Sequence, residues 1–137
     1  MRTITLIIVH CSATRVDRRF TFEQCRDDHI RHRRFKDIGY HYYIEIDGTI
    51  HKGRDESVVG AHCKNHNAHS IGICYEGGIS PEGGCADTRT PEQKAALHAL
   101  LVELKRSYPR AMILGHHDLN TTKACPCFNA ATEYAAL

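Results

Sequence analysis

The stretch Ile4-Thr5-Leu6-Ile7-Ile8-Val9-His10-Cys11-Ser12 opens the chain with an apolar run that stops abruptly at polar residues. Apart from Thr5 the run is continuous. It lacks the strict alternation of a half-exposed strand and predicts a central strand covered on both faces. His10 then stands at the C-terminal end of that strand. Cys11, one residue on, faces the other side of the sheet and belongs to the core.

Working outward, Thr21 can cap a helix with Gln24 in the capping-box position, so a helix is expected over residues 22–35. Its inward side would carry Phe22, Cys25, His29 and Ile30. Gly39-Tyr40 reads as a turn. Residues 41–46 and 49–52 form a hairpin about Asp47-Gly48, because Asp-Gly supplies the backbone angles of a two-residue loop. Residues 58–62 read as a short strand or loop, and residues 69–75 as another inner strand. Thr90-Pro91-Glu92-Gln93 is a second helix start, with Thr as cap and Pro at the first position. That helix should run to about Tyr108, with Leu97, Leu100, Leu101 and Leu104 as its apolar face. Residues 111–114 form a last short strand leading into His116-His117-Asp118. A loop through Lys123 and Cys125 and a short helix close the chain. Intermixed strands and helices of this kind predict an α/β fold: one domain over residues 1–137, a central mixed sheet flanked by helices.

The bulk numbers agree. A chain of 137 residues, 42% hydrophobic and 25% charged, suits one soluble domain whose core needs no cross-links. The formal charge is only +2, which argues against nucleic acid as a partner. Basic residues gather between Arg15 and Lys36, but Asp17, Glu23, Asp27, Asp28 and Asp37 are mixed among them. A solvated face with offsetting charges is expected, in preference to a patch for a polyanion. No run approaches a membrane span, and Met1 leads almost at once into the first strand, unlike a secretory leader. Synthesis in a reducing cytoplasm, with mostly free thiols among the seven cysteines, is the simplest account.

Eleven histidines require an explanation, since imidazole is the chief metal ligand and proton carrier at neutral pH. A catalytic zinc site takes three protein ligands and keeps a fourth place open. His10, His116 and Cys125 could supply them, His116 and Cys125 from one loop and His10 from a neighbouring strand. By spacing alone the signal is weak, since many histidines and cysteines could be combined, and the alternative stands open: a satisfied strand-end histidine and buried, inert cysteines. For Cys25, Cys63 and Cys74, which lie in or beside periodic segments, the buried role is the expectation.

Six stretches then carry a resemblance. They are Ile8-Val9-His10-Cys11-Ser12-Ala13-Thr14; Ile38-Gly39-Tyr40-His41-Tyr42; Asp47-Gly48-Thr49-Ile50 with Gly53-Arg54; Ser70-Ile71-Gly72-Ile73-Cys74 with Gly77-Gly78; Gly115-His116-His117-Asp118; and Lys123-Ala124-Cys125-Pro126. In this order, over nearly the whole chain, they resemble the zinc-dependent N-acetylmuramoyl-L-alanine amidases. That family includes the amidase-type phage lysozymes and is related to the peptidoglycan recognition proteins.

The resemblance implies one zinc ion per chain, ligated by His10, His116 and Cys125, with Tyr40 and Lys123 as catalytic residues. It implies hydrolysis of the amide joining N-acetylmuramic acid to L-alanine in bacterial peptidoglycan. Asp118 and His117 are candidates to support the ligands, and Arg54, His62, Asn67 and His69 to line a substrate groove. Cys127, two residues past the ligand cysteine, could compete for metal or form a strained or intermolecular disulfide. The rival readings are a non-catalytic peptidoglycan-binding module, an amidase with a second role on a polymerase, and a cysteine hydrolase using Cys11 or Cys125. A monomer made in the cytoplasm is expected, with no membrane partner, reaching the wall after lysis or by separate export.

Overall fold

The computed structural model describes residues 2–137. The opening run forms strand β1, Leu6–Cys11, with His10 and Cys11 as its last two residues. Strand β2 is Thr14–Arg15, and helix α1 is Phe22–Arg31. The hairpin strands are β3, Tyr42–Ile44, and β4, Ile50–Lys52. A 3-10 turn, Asn67–His69, precedes β5, Ser70–Tyr75, and then β6, Gly78–Ile79. Helix α2, Pro91–Ser107, leads to β7, Met112–Gly115, and the short helices α3, His116–Leu119, and α4, Ala130–Glu133.

Five strands make a mixed sheet in the order β4-β3-β5-β1-β7, while β2 and β6 pair separately. β1 runs parallel to β5 and β7 on either side, and β3 runs parallel to β5 with β4 antiparallel at the edge. The alternation of a strand sorts its residues between two cores. Ile7, Val9 and Cys11 join Ile71, Ile73 and Tyr75 beneath Leu97, Leu101 and Leu104 of α2. On the opposite side Tyr43 and Cys74 pack with Ile38 and Cys25 of α1. The layers are therefore helix, sheet, helix, as the sequence predicts, and Cys11 lies on the face opposite His10.

Both predicted capping boxes form, Thr21 with Gln24 and Thr90 with Gln93. α1 ends at Arg31, four residues early. Its continuation, His32-Arg33-Arg34, offers nothing to bury, and Arg34 adopts a left-handed backbone (φ +62°) that no helix continues through. Cys25 and His29, four apart, form its buried stripe, whereas Ile30 is exposed and does not point inward. Residues 58–62 contain no strand, and the strand expected from residue 69 begins at Ser70. The basic segment behaves as a solvated face: Arg15 pairs with Asp17, Arg26 with Asp37 and Arg31 with Asp27 at the surface. Among the described residues no helix is long and apolar enough to cross a membrane.

The C-terminal segment is held by a charged cluster. Arg89, almost fully buried, donates to Asp87 (2.9 Å) and Glu133 (2.8 Å), and to the Tyr134 hydroxyl (2.8 Å). Its guanidinium also lies 3.5 Å from the centre of the Phe128 ring. Arg89 holds both carboxyls below their usual range. A depressed carboxylate pKa contributes stability above the unfolded value near 4 and loses it as pH falls through the folded value. An Arg89→Met protein should therefore be less stable at pH 7, and its stability should fall less than wild type's as pH drops below about 4. Denaturant unfolding at several pH values measures this, and parallel curves would count against it.

Cys127 is joined to Cys85 within the chain. The thiols are mostly free, as expected, with Cys11, Cys25, Cys63, Cys74 and Cys125 unbridged; the bridge of Cys127 is made within the chain and not to another chain. The cross-link spans 42 residues, a loop whose closure removes about 4 kcal/mol of unfolded-state entropy. Reduction, or Cys85→Ser, should lower the unfolding free energy by roughly that amount. Urea titrations with and without reductant test it.

Candidate metal centre and active site

Parallel pairing explains why two distant histidines meet. In the β1–β7 register Val9 lies beside Gly115, so the next residues, His10 and His116, leave adjacent strands side by side. Their ring centres are 4.7 Å apart. Carboxyl ends of parallel strands are where open α/β sheets present their sites.

The thiol comes from the loop after α3. That loop reaches the strand ends because Gly115 has no side chain: a β-carbon there would lie 2.7 Å from the Pro126 ring. The Tyr75 hydroxyl, buried under α2, donates to the Pro126 carbonyl at 2.6 Å. The backbone N–H of His117 donates to the Cys125 carbonyl at 2.8 Å, and that of Cys11 to the Cys125 sulfur at 3.0 Å. As a result one donor atom from each of His10, His116 and Cys125 lies within 4.8 Å of the others. Among the described residues this is the group of three that could hold a metal ion.

The electrostatics suit a cation. Burial, then His62 and His116, pushes His10 well below the ordinary histidine range. Burial, then Lys123, lowers His116. Both rings are neutral at pH 7 and can offer a lone pair. The neighbouring Cys11 thiol and burial push the Cys125 thiol up, so without a positive charge beside it that thiol keeps its proton. A bound metal reverses the preference, since a coordinating thiol is deprotonated outright.

Tyr40, just before β3, sets its ring 5.2 Å from that of His10. Burial, then Cys74, raises its pKa well above the usual phenol value, leaving a neutral hydroxyl that can donate. Lys123 is exposed on the same loop as Cys125, close enough for its charge to act on His116. The sequence-derived set of five thus gathers around the ends of β1 and β7.

The supporting residues are placed differently from expectation. Asp118 caps its own short helix by accepting the Gly115 N–H at 2.8 Å, and His117 Nδ1 bonds the Lys123 carbonyl at 2.6 Å. Both shape the loop. Arg54 is spent on the carbonyls of Ile38 and Val59, and His69 approaches His66 at 3.4 Å. Asn67 accepts the backbone N–H groups of His62 and Cys63, both at 2.9 Å. His62 is only partly exposed, and its Nδ1 lies 2.8 Å from His10 Nε2. No spacing rule points to that contact, because residues 62 and 10 meet only through the β1–β5 pairing. Tyr75 and the Cys11 N–H are likewise invisible as site residues in the sequence.

Comparison with known proteins bears on the chemistry. The profile of the N-acetylmuramoyl-L-alanine amidase family matches residues 1–128. The endolysin of Escherichia phage T7 is 42% identical over 123 residues, 90% of this chain and 80% of that one. A peptidoglycan-recognition protein of Drosophila melanogaster is 30% identical over 138 residues, covering 97% of this chain and 74% of that one. Among solved structures, the endolysin N-acetylmuramoyl-L-alanine amidase LysCS from Clostridium intestinale matches with TM-score 0.80 at 30% identity, over 97% of this chain and 81% of that one. The fold, the motif order and these likenesses agree, and the chain belongs to the N-acetylmuramoyl-L-alanine amidase family as an enzyme of peptidoglycan hydrolysis.

Proposed function

We propose that the chain is a zinc-dependent endolysin that cleaves the amide between N-acetylmuramic acid and L-alanine, with one zinc per chain held by His10, His116 and Cys125. The convergence of these three donors within 4.8 Å carries the reading. Two imidazoles and a thiol are borderline-soft donors that suit zinc, whose ligand bonds are about 2.0–2.3 Å, and three protein ligands leave a fourth position open. When bound, zinc activates a water in that position and polarises the carbonyl oxygen of the substrate.

The chain's own groups do the rest. Tyr40 and Lys123 flank the ligands and would meet the negative charge that develops on the carbonyl oxygen, the phenol by donating a hydrogen bond and the ammonium by its charge. The Cys11 N–H on the Cys125 sulfur disperses part of the thiolate charge and orients the ligand. The amidase unit extends past residue 128, because Ala130 and Tyr134 are part of the main core. The enzyme acts as a monomer on wall material.

A binding module without catalysis is disfavoured, since Cys125, Tyr40 and Lys123 are all retained. A cysteine hydrolase is disfavoured as well. Cys11 is buried under α2, and the Cys125 thiol is pushed up, away from the reactive thiolate. Digestion of purified peptidoglycan followed by mass analysis tests the bond assignment: free stem peptides beginning with L-alanine are expected, and intact muropeptides would refute it. Chelation should abolish this release and added zinc restore it, whereas release that persists after metal removal would favour a thiol nucleophile.

A further inference from the structure

The His62–His10 contact constrains the ligand set. A ring nitrogen that faces another imidazole cannot also face a metal. His10 Nε2 is taken by His62 at 2.8 Å, which leaves Nδ1 as the nitrogen free to ligate. For Nδ1 to offer a lone pair, the proton of neutral His10 must sit on Nε2. Then His62 Nδ1 must accept, and the His62 proton sits on its Nε2, which lies 3.3 Å from the Ser70 hydroxyl oxygen. The series His10 Nε2–H to His62 Nδ1, then His62 Nε2–H to Ser70 Oγ, satisfies each nitrogen once.

The surroundings are shaped to hold this ring. Gly72 on β5 lies directly against it: a β-carbon there would come within 2.6–2.7 Å of three ring atoms. A β-carbon at Gly60 would crowd the same ring, at Cδ2, from 2.8 Å. Asn67 clamps the backbone of His62 and Cys63 from below. The two rings meet edge to face, their planes 89° apart, an arrangement that an in-plane N–H···N bond permits.

We propose that His62 is a positioning residue that fixes the tautomer and ring orientation of His10 for metal binding, relayed to Ser70; this rests on the zinc reading above. Ligating histidines commonly give their second N–H to a carboxylate or carbonyl. A neutral imidazole does the same work without adding negative charge to a site that already contains a thiolate. The arrangement thus preserves the Lewis acidity that a carboxylate partner would weaken.

The test compares the wild type with His62→Asn, whose Oδ1 can accept near the place of Nδ1, and His62→Leu, which fills space but accepts nothing. Zinc affinity is measured by chelator competition, and the ligand field by the visible spectrum of the cobalt-substituted protein. His62→Leu should bind zinc about 10- to 100-fold more weakly with an altered cobalt spectrum, and His62→Asn should recover most of both. Nitrogen-15 NMR of the zinc-loaded wild type should find the His10 proton on Nε2. Equal zinc affinity in wild type and His62→Leu, or a His10 proton on Nδ1, overturns the proposal; the NMR result decides should His62→Leu fail to fold. A wild-type protein that binds no zinc would instead overturn the metal assignment itself.

Discussion

Cys125→Ala protein is expected to lose both its zinc and its activity. A ligand should cost more than the roughly 10- to 100-fold typical of an outer partner, so the metal content should fall from one per chain toward zero. Peptide release should fall to background, because the activated water and the polarised carbonyl both depend on the ion. The variant also strands the Cys11 N–H, whose acceptor is the Cys125 sulfur. An unsatisfied buried donor costs about 1–3 kcal/mol of stability. Cys125→Ser separates the two effects, since its hydroxyl can still accept that N–H while ligating zinc poorly. Elemental analysis beside a turnover assay reads the outcome, and wild-type turnover in Cys125→Ala would remove the thiol from the ligand set.

The second large effect concerns charge development. Lys123→Ala and Tyr40→Phe should each lower kcat by about 10²- to 10³-fold while leaving zinc content unchanged. Lys123 is exposed and Tyr40→Phe removes one oxygen, so neither change should disturb the fold. Because both groups would act on the same oxygen, the double variant should lose less than the product of the single losses. Retained zinc is what distinguishes these residues from the ligands. A kcat near wild type for either one, with KM raised instead, would make that residue a binder of ground-state substrate.

Local chemistry explains what is legible without coordinates. The apolar run before His10 announces a doubly covered strand because both cores need its side chains. Thr21 with Gln24 and Thr90 with Gln93 mark helix starts because the capping bonds are made between residues three apart. Asp47-Gly48 marks its turn for the same reason, but the loop has three residues and not two: the Glu45 N–H donates to the Thr49 carbonyl, only Gly48 takes a positive φ (+89°), and the strands stop short at Ile44 and start at Ile50. Where the local pattern misleads, burial decides. Ile30 is apolar yet exposed, since α1 covers the sheet only with the stripe through Cys25 and His29.

The histidines show the limit. His10 and His116 stand out by their place after apolar strands, but eleven histidines permit many sets. Order along the chain and resemblance to a family narrow them. The motif flanks suggest His62 for a substrate groove, and nothing in them shows that its ring also meets His10 on the face of the sheet that Gly72 leaves open. Cys127 has no partner in view along the chain because Cys85 lies 42 residues earlier, in a loop without periodicity.

The α/β elements, their starts and turns, and the residue types available for metal chemistry are written in the chain itself, because they depend on neighbours within a few positions. Which imidazole contacts which, which cysteine is tied off and which thiol faces the two histidines emerge only on folding. Those outcomes depend on strand order and register, which bring residues 10, 62, 116 and 125 together from four separate segments. Pairing energies of that kind are summed over the whole sheet, and no short stretch of the chain contains them.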